Sequence, residues 1–185
     1  MRFVSMLPYP MSEKLKNEEL NRLSVEAFKI AEKRPVILVL DNVRSLNNVG
    51  SAFRTADAFL IEEILLCGVT GAPPNKEIEK TALGATASVK WTHFKTTLEA
   101  MDYLKQKNYR PYAIEQAKNS IRLNDFKCAD EKIAIVFGNE VYGVEQTVID
   151  QCKGVIEIPQ AGTKHSFNIS VSVGIVLWEL LRGKI

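Results

Sequence analysis

Residues 36 to 40 read Val-Ile-Leu-Val-Leu, and residues 133 to 137 read Ile-Ala-Ile-Val-Phe. A run that short and that apolar fits a strand buried on both faces. Such strands belong to parallel sheets with helices packed on each side, because parallel strands need crossover connections that cover the sheet. Further strand candidates follow at regular spacing: "EILLCGV" (63–69), "SVKWTHF" (88–94), "YRPYAI" (109–114) and "GVIEI" (154–158). Between them, residues 51–59, 96–107, 145–152 and 168–181 have helical patterns. "GVTGAPPNKEIEKTALGAT" (68–86) reads as a long Pro-Gly loop. Strands alternating with helices predict an α/β fold, a mainly parallel sheet covered by helices on both faces.

Residues 12 to 33 are strongly charged, with Leu20, Leu23, Ala27 and Ile30 spaced as one helical face, and Pro35 ends the pattern. The expected organisation is an N-terminal helical extension over residues 1–34 and one globular unit over 35–185. The last helix constrains assembly. Val171, Val173, Ile175, Val176, Leu177, Trp178, Leu180 and Leu181 point in nearly every direction, and a helix apolar all round must be covered all round. One face on the sheet leaves the other bare, so a homodimer is expected with this helix at the contact.

A chain of 185 residues with 46% hydrophobic and 25% charged residues is sized for one soluble domain. Its formal net charge of +2 permits a nucleic-acid partner without arguing for one. The longest apolar run is too short and too interrupted by Ser, Gly and Glu to span a bilayer, and "MRFVSMLPYPMSEK" lacks the apolar core of a signal peptide. Cys67, Cys128 and Cys152 form no CxxC, and only His93 and His165 stand beside them. No metal site and no membrane association are expected, and reduced thiols suit a cytoplasmic protein.

Open α/β sheets bind ligands outside the carboxyl ends of their strands. Three polar clusters fall there: "NNVGSAFR" after the first strand, "FGNEVYGV" after the 132–137 strand, and "IPQAGTKHSFN" after the 154–158 strand. Gly50, Gly138, Gly143 and Gly162 would let backbone approach a ligand or adopt positive φ. No GxGxxG follows the first strand and no GxxxxGK[ST] occurs, so dinucleotide and P-loop sites are unsupported. Taken singly, each side chain has a plain reading. Asn48, Ser166 and Asn168 suit helix caps, Arg54 a snorkelling surface residue, and Glu140 a solvated loop charge.

Together, "NVGSAFRTADAF", "IVFGNEVYGV" and "IPQAGTKHSFNISVSV" resemble the three motifs of the SpoU/TrmH family of RNA 2′-O-ribose methyltransferases, of the SPOUT class. The likeness runs in order and spacing over residues 36 to 182. Phe167 stands where the family pattern has Leu. The resemblance implies a C-terminal trefoil knot that binds S-adenosylmethionine, a dimer, and an RNA substrate. It carries catalytic roles onto Arg54, Asn48, Glu140, Ser166 and Asn168. It also places the cofactor against Ile114, Gly138, Ile158, Phe167 and Asn168. Arg54 is the family's catalytic arginine, and since a guanidinium stays protonated it suits phosphate binding and oxyanion stabilisation better than a base's role. Glu140 is expected to orient an arginine or to stabilise the motif loops. Ser166 and Asn168 are expected to hold Arg54 or the ribose, with Asn48 completing the network.

"IEQAKNSIRL" and the third motif look most like the branch that methylates the D-loop guanosine of tRNA, so tRNA is the expected substrate ahead of ribosomal RNA. Ahead of the core only the charged helix of residues 12–33 is expected, without the N-terminal RNA-binding domain of many ribosomal-RNA-modifying members. Two other classes compete: a non-catalytic RNA-binding module of the same fold, and a methyltransferase for another acceptor. All five motif side chains are present, which argues against the first.

Overall fold

The computed structural model describes residues 12–127 and 132–183. In chain order the elements are α1 (Val25–Ile30), β1 (Arg34–Asp41), α2 (Leu46–Ala58), β2 (Ile61–Cys67), α3 (Lys76–Ala82), α4 (Ala85–Ser88) and β3 (Trp91–Phe94). There follow α5 (Thr97–Gln106), β4 (Arg110–Ile114), β5 (Ile121–Arg122), β6 (Ile133–Phe137), α6 (Gln146–Ile149), β7 (Gly154–Glu157) and α7 (Ile169–Leu181). The strands form one sheet in the order β3-β2-β1-β6-β4-β7-β5, and every neighbouring pair is parallel.

The apolar runs behave as their composition requires. Along β1, Val36, Leu38 and Leu40 face one core while Ile37 and Val39 face the other. Across the sheet, Ile133, Ile135 and Phe137 of β6 join the first core, and Ala134 and Val136 join the second. The first core is completed by helices α2 and α7, through Val49, Phe53, Val173, Val176 and Leu177. The second is completed by Ala100, Met101 and Leu104 of α5 and Val148 of α6. Strand alternation thus feeds two apolar layers from one segment, each fully buried large side chain contributing about 1.5–3 kcal/mol.

Three local expectations are corrected. The single helix expected over 12–33 is two short pieces, a 3-10 turn at Asn17–Leu20 and α1. Asn21 takes a left-handed φ of 48°, and Ser24 then caps α1 by accepting the Ala27 N–H. The apolar face also differs: Phe28 is buried, whereas Ile30 is 88% exposed and Leu23 is exposed. The 68–86 segment, expected as a loop, contains α3 and α4. Asn75 caps α3 by accepting the Glu77 N–H at 3.0 Å, and Ile78 and Ala82, four residues apart, supply its buried face. The 88–94 strand starts only at Trp91, because α4 occupies residues 85–88.

Helix α7 buries Ile169, Val173, Val176, Leu177 and Leu181, so Val173 and Val176 belong to the core of the single chain. Its opposite side leaves Val171 and Trp178 exposed, the tryptophan at 58%. Among the described residues no helix is long and apolar enough to cross a membrane.

Candidate active site

The carboxyl ends of β1, β6 and β7 converge, and a polar network joins the three segments that leave them. β6 ends at Phe137, and the chain reverses at once. Asn139 and Gly143 exchange both backbone hydrogen bonds at 2.9 Å. Gly143 closes the turn at φ +69°, in the left-handed region that favours glycine. A Cβ on Gly138 would collide with the Gly143 backbone. The Asn139 side chain fixes what remains: its Oδ1 accepts the N–H groups of Val141 (2.9 Å) and Tyr142 (3.2 Å), and its Nδ2 donates to the Asn42 carbonyl at 2.8 Å.

Held this way, Glu140 points at the loop between β1 and α2. Its carboxylate accepts the backbone N–H groups of Arg44 and Ser45, each at 3.0 Å, and the Asn48 side-chain amide at 3.2 Å. Partial burial works against ionisation of Glu140. The N–H groups of Arg44, Ser45 and Glu140 itself, with the Asn48 amide, outweigh it and hold the carboxyl below its usual range. Asn48 in turn accepts from Asn168 Nδ2 at 3.1 Å. Asn168 caps α7, its Oδ1 accepting the Ser170 N–H at 2.9 Å. One chain of hydrogen bonds therefore runs Glu140–Asn48–Asn168, from the β6 exit through the β1 exit to the start of the last helix.

Beneath the network a second anchor holds the same loops. Asp41, buried at the end of β1, accepts from the Thr97 hydroxyl, from Asn42 Nδ2 at 2.9 Å and from the Glu145 N–H at 3.3 Å. Sequence reading missed this residue, although an aspartate closing an apolar strand signals a buried acceptor. It also missed Glu115, whose carboxylate takes the N–H groups of Gln116 (2.8 Å) and Val144 (3.2 Å). The Gln116 side chain donates to the His165 carbonyl, tying the β4 exit to the third motif.

These segments enclose a cleft of about 1010 Å³. Ile114, Gly138, Ile158, Phe167 and Asn168, the five residues carried over for cofactor binding, all line it, as do Glu140 and Ser166. Asn48 joins through Glu140 and Asn168. Arg54 is not brought in. It lies six residues beyond Asn48 on α2, about 9 Å along the axis and on another face. Its exposed side chain lines a separate cavity of about 320 Å³, with Leu23, Phe28, Asp57 and Ser88. Asn168 therefore bonds Asn48 where a contact to Arg54 was an expected alternative, and Glu140 receives the Arg44 main chain, not a guanidinium. Gly50 likewise has a packing role: a Cβ there would strike the Thr81 hydroxyl and the Ile78 carbonyl of α3.

The thiols of Cys67 and Cys152 are free, and burial, reinforced by the Asp41 charge, pushes both up to about 12. Neither is a nucleophile at neutral pH. Among the described residues no group of three His, Cys, Asp or Glu side chains is placed to hold a metal ion.

A seven-stranded parallel α/β sheet, a cleft at its carboxyl edge and three motifs around it define a class that comparison identifies. Residues 35–178 match the SpoU rRNA Methylase family, and the chain belongs to that family. It is 32% identical over 158 residues to an uncharacterized tRNA/rRNA methyltransferase of Borreliella burgdorferi, covering 85% of this chain and 68% of the relative. It is 28% identical over 171 residues to the 23S rRNA (guanosine-2′-O-)-methyltransferase RlmB of Haemophilus influenzae, covering 91% and 68%. Among solved structures, the AdoMet-bound rRNA methyltransferase of Sinorhizobium meliloti superposes with a TM-score of 0.78 at 25% identity, covering 83% of this chain and 58% of that one.

Proposed function

We propose that the chain transfers a methyl group from S-adenosylmethionine to a ribose 2′-hydroxyl of RNA. The observation that carries this reading is the Glu140–Asn48–Asn168 network set over the cleft. The cleft suits the cofactor chemically. Ile114, Ile158 and Phe167 offer apolar faces for an adenine ring, main chain at Gly138 is open to polar edges, and the carboxylates of Glu115 and Glu140 favour a cation. When bound, S-adenosylmethionine supplies an electrophilic methyl group on a sulfonium.

The protein's own residues then have to position the acceptor and manage its charge, which supplies much of the rate in an in-line transfer. Glu140 locks the β1–α2 loop against the motif-two turn. Asn48 and Asn168 fix the approach to the cleft, and Ser166 on its wall offers a hydroxyl to the ribose. Arg54, outside the cleft, meets a phosphate of the RNA; a guanidinium that stays protonated is no base, so the proton of the 2′-hydroxyl passes to solvent. The position of Arg54 fits a contact to the longer substrate. The insertion of β7 between β4 and β5 supports the knotted C-terminal topology that the resemblance implies.

The stretch "IEQAKNSIRL", which walls the cleft from Ile114 to Lys118, favours tRNA by its likeness to the D-loop-modifying branch. The name of the Haemophilus influenzae relative favours ribosomal RNA as the second reading. Titration with S-adenosylmethionine should show binding, and labelled methyl should pass to tRNA lacking the modification. Label in ribosomal RNA alone would move the substrate and leave the reaction standing. Binding without transfer to any RNA would point to a non-catalytic module or another acceptor. Arg54→Ala should abolish transfer while leaving the cofactor Kd within about twofold, because Arg54 does not line the cleft; near-normal turnover would remove it from the mechanism.

A further inference from the structure

Among the exposed large apolar residues, Val141, Tyr142 and Phe167 lie on the wall of the cleft, and Tyr142, two residues after Glu140, is the most exposed of the three at 84%. An exposed aromatic side chain on a loose loop would mean little. Tyr142 instead sits in the turn closed by the paired Asn139–Gly143 backbone bonds, and its own N–H is bound by Asn139 Oδ1 at 3.2 Å. Ile30, Val69 and Leu83 are comparably exposed but lie outside the cleft.

The surroundings give the ring a chemistry. Arg44, whose N–H bonds Glu140, is exposed on the adjoining loop. Lys118 and His165 are exposed on the cleft walls, and exposed Lys164 precedes His165. A solvated aromatic ring on a fixed backbone, with the cations of Arg44, Lys118 and Lys164 on the neighbouring loops, is how proteins bind unpaired nucleotides: bases stack on the ring and cations meet the backbone. A tyrosine orders few torsions in doing so, which keeps the cost of binding low.

We propose that Tyr142 is a stacking platform for a base of the RNA acceptor, a positioning residue that holds the nucleotide while its ribose enters the cleft. This rests on the RNA-methyltransferase reading. The side chain stacks through its ring, so the hydroxyl is dispensable.

The experiment uses the full chain, S-adenosylmethionine and unmodified tRNA, with ribosomal RNA in parallel. Tyr142→Ala should raise the RNA KM on the order of tenfold, leaving the cofactor Kd and the sedimentation of the protein unchanged. Tyr142→Phe should restore wild-type behaviour. An unchanged RNA KM in Tyr142→Ala would overturn the proposal, as would equal losses in the Ala and Phe variants. A weakened cofactor Kd would assign the ring to the cofactor, and altered sedimentation would assign it to a protein contact; both overturn it. Failure of the wild-type chain to methylate any RNA would instead defeat the reading on which the proposal rests.

Discussion

The amide of Asn168 is shared between two neighbours: its oxygen takes the Ser170 N–H at 2.9 Å and its nitrogen reaches Asn48 at 3.1 Å. Substitutions can separate the two. Asn168→Ala loses both, so stability should fall by about 0.5–2 kcal/mol for the lost cap, seen as a lower Tm, and methyl transfer should fall with it. Asn168→Ser keeps a capping oxygen but is too short for Asn48. Its Tm should stay near wild type while transfer falls, and wild-type activity in that variant would reduce Asn168 to a cap. The cap reading of Asn168 therefore holds, and the same side chain also reaches a second motif residue, Asn48. For Asn48 the cap reading fails, since Ser45 Oγ accepts the Asn48 N–H at 3.3 Å and caps α2 itself. Motif order in the sequence located Glu140, Asn48 and Asn168 but not which would touch. Arg54 shows why: spacing along a helix fixes a face, and only the packed structure says what that face meets.

The strands were the most legible elements, because β1 and β6 are buried on both sides and tolerate no polar position between their ends. The elements that escaped are short. α3 hides behind Pro73 and Pro74, and its signal is only the Asn75 cap with Ile78 and Ala82 four apart. β5 has two residues, both exposed, and leaves no pattern to read. The packing of α2 on α3 yields a test at this scale. Gly50→Ala would drive a methyl group into the Ile78 carbonyl and the Thr81 hydroxyl. Backbone cannot rotate away, so a loss of roughly 1–3 kcal/mol is expected, measurable as a lower denaturant midpoint. An unchanged midpoint would mean that the two helices slide apart freely.

At the scale of the whole molecule, the homodimer expected from α7 has only the outer side of that helix left to form on. Val173 and Val176 are fully buried within one chain, so a charge there tests folding and not association. Exposed Val171 and Trp178 are the residues to change. Trp178→Glu should turn a dimer into folded monomers at micromolar concentration by ultracentrifugation, with circular dichroism unchanged. A wild-type chain that sediments as a monomer would defeat the dimer outright. Seven positions of sheet order also carry information that no sequence window contains, since β6 lies between β1 and β4 and β7 between β4 and β5.

That strand order bears on how the molecule is assembled in time. β1, β2 and β3 are consecutive in the chain and adjacent in the sheet, so they can zip together as soon as they exist. β4 has no lasting neighbour until β6 is made, and β5 none until β7 arrives. The pairing that joins β1 to β6 brings Val36 beside Ile133 across about half of the chain, and contacts so distant in sequence are slow to form, because loop-closure entropy must be met before contacts reward it. The cleft borders on these late strands. During synthesis, three of the seven strands can pair while the cleft does not yet exist, and its walls are complete only once β7 has entered between β4 and β5.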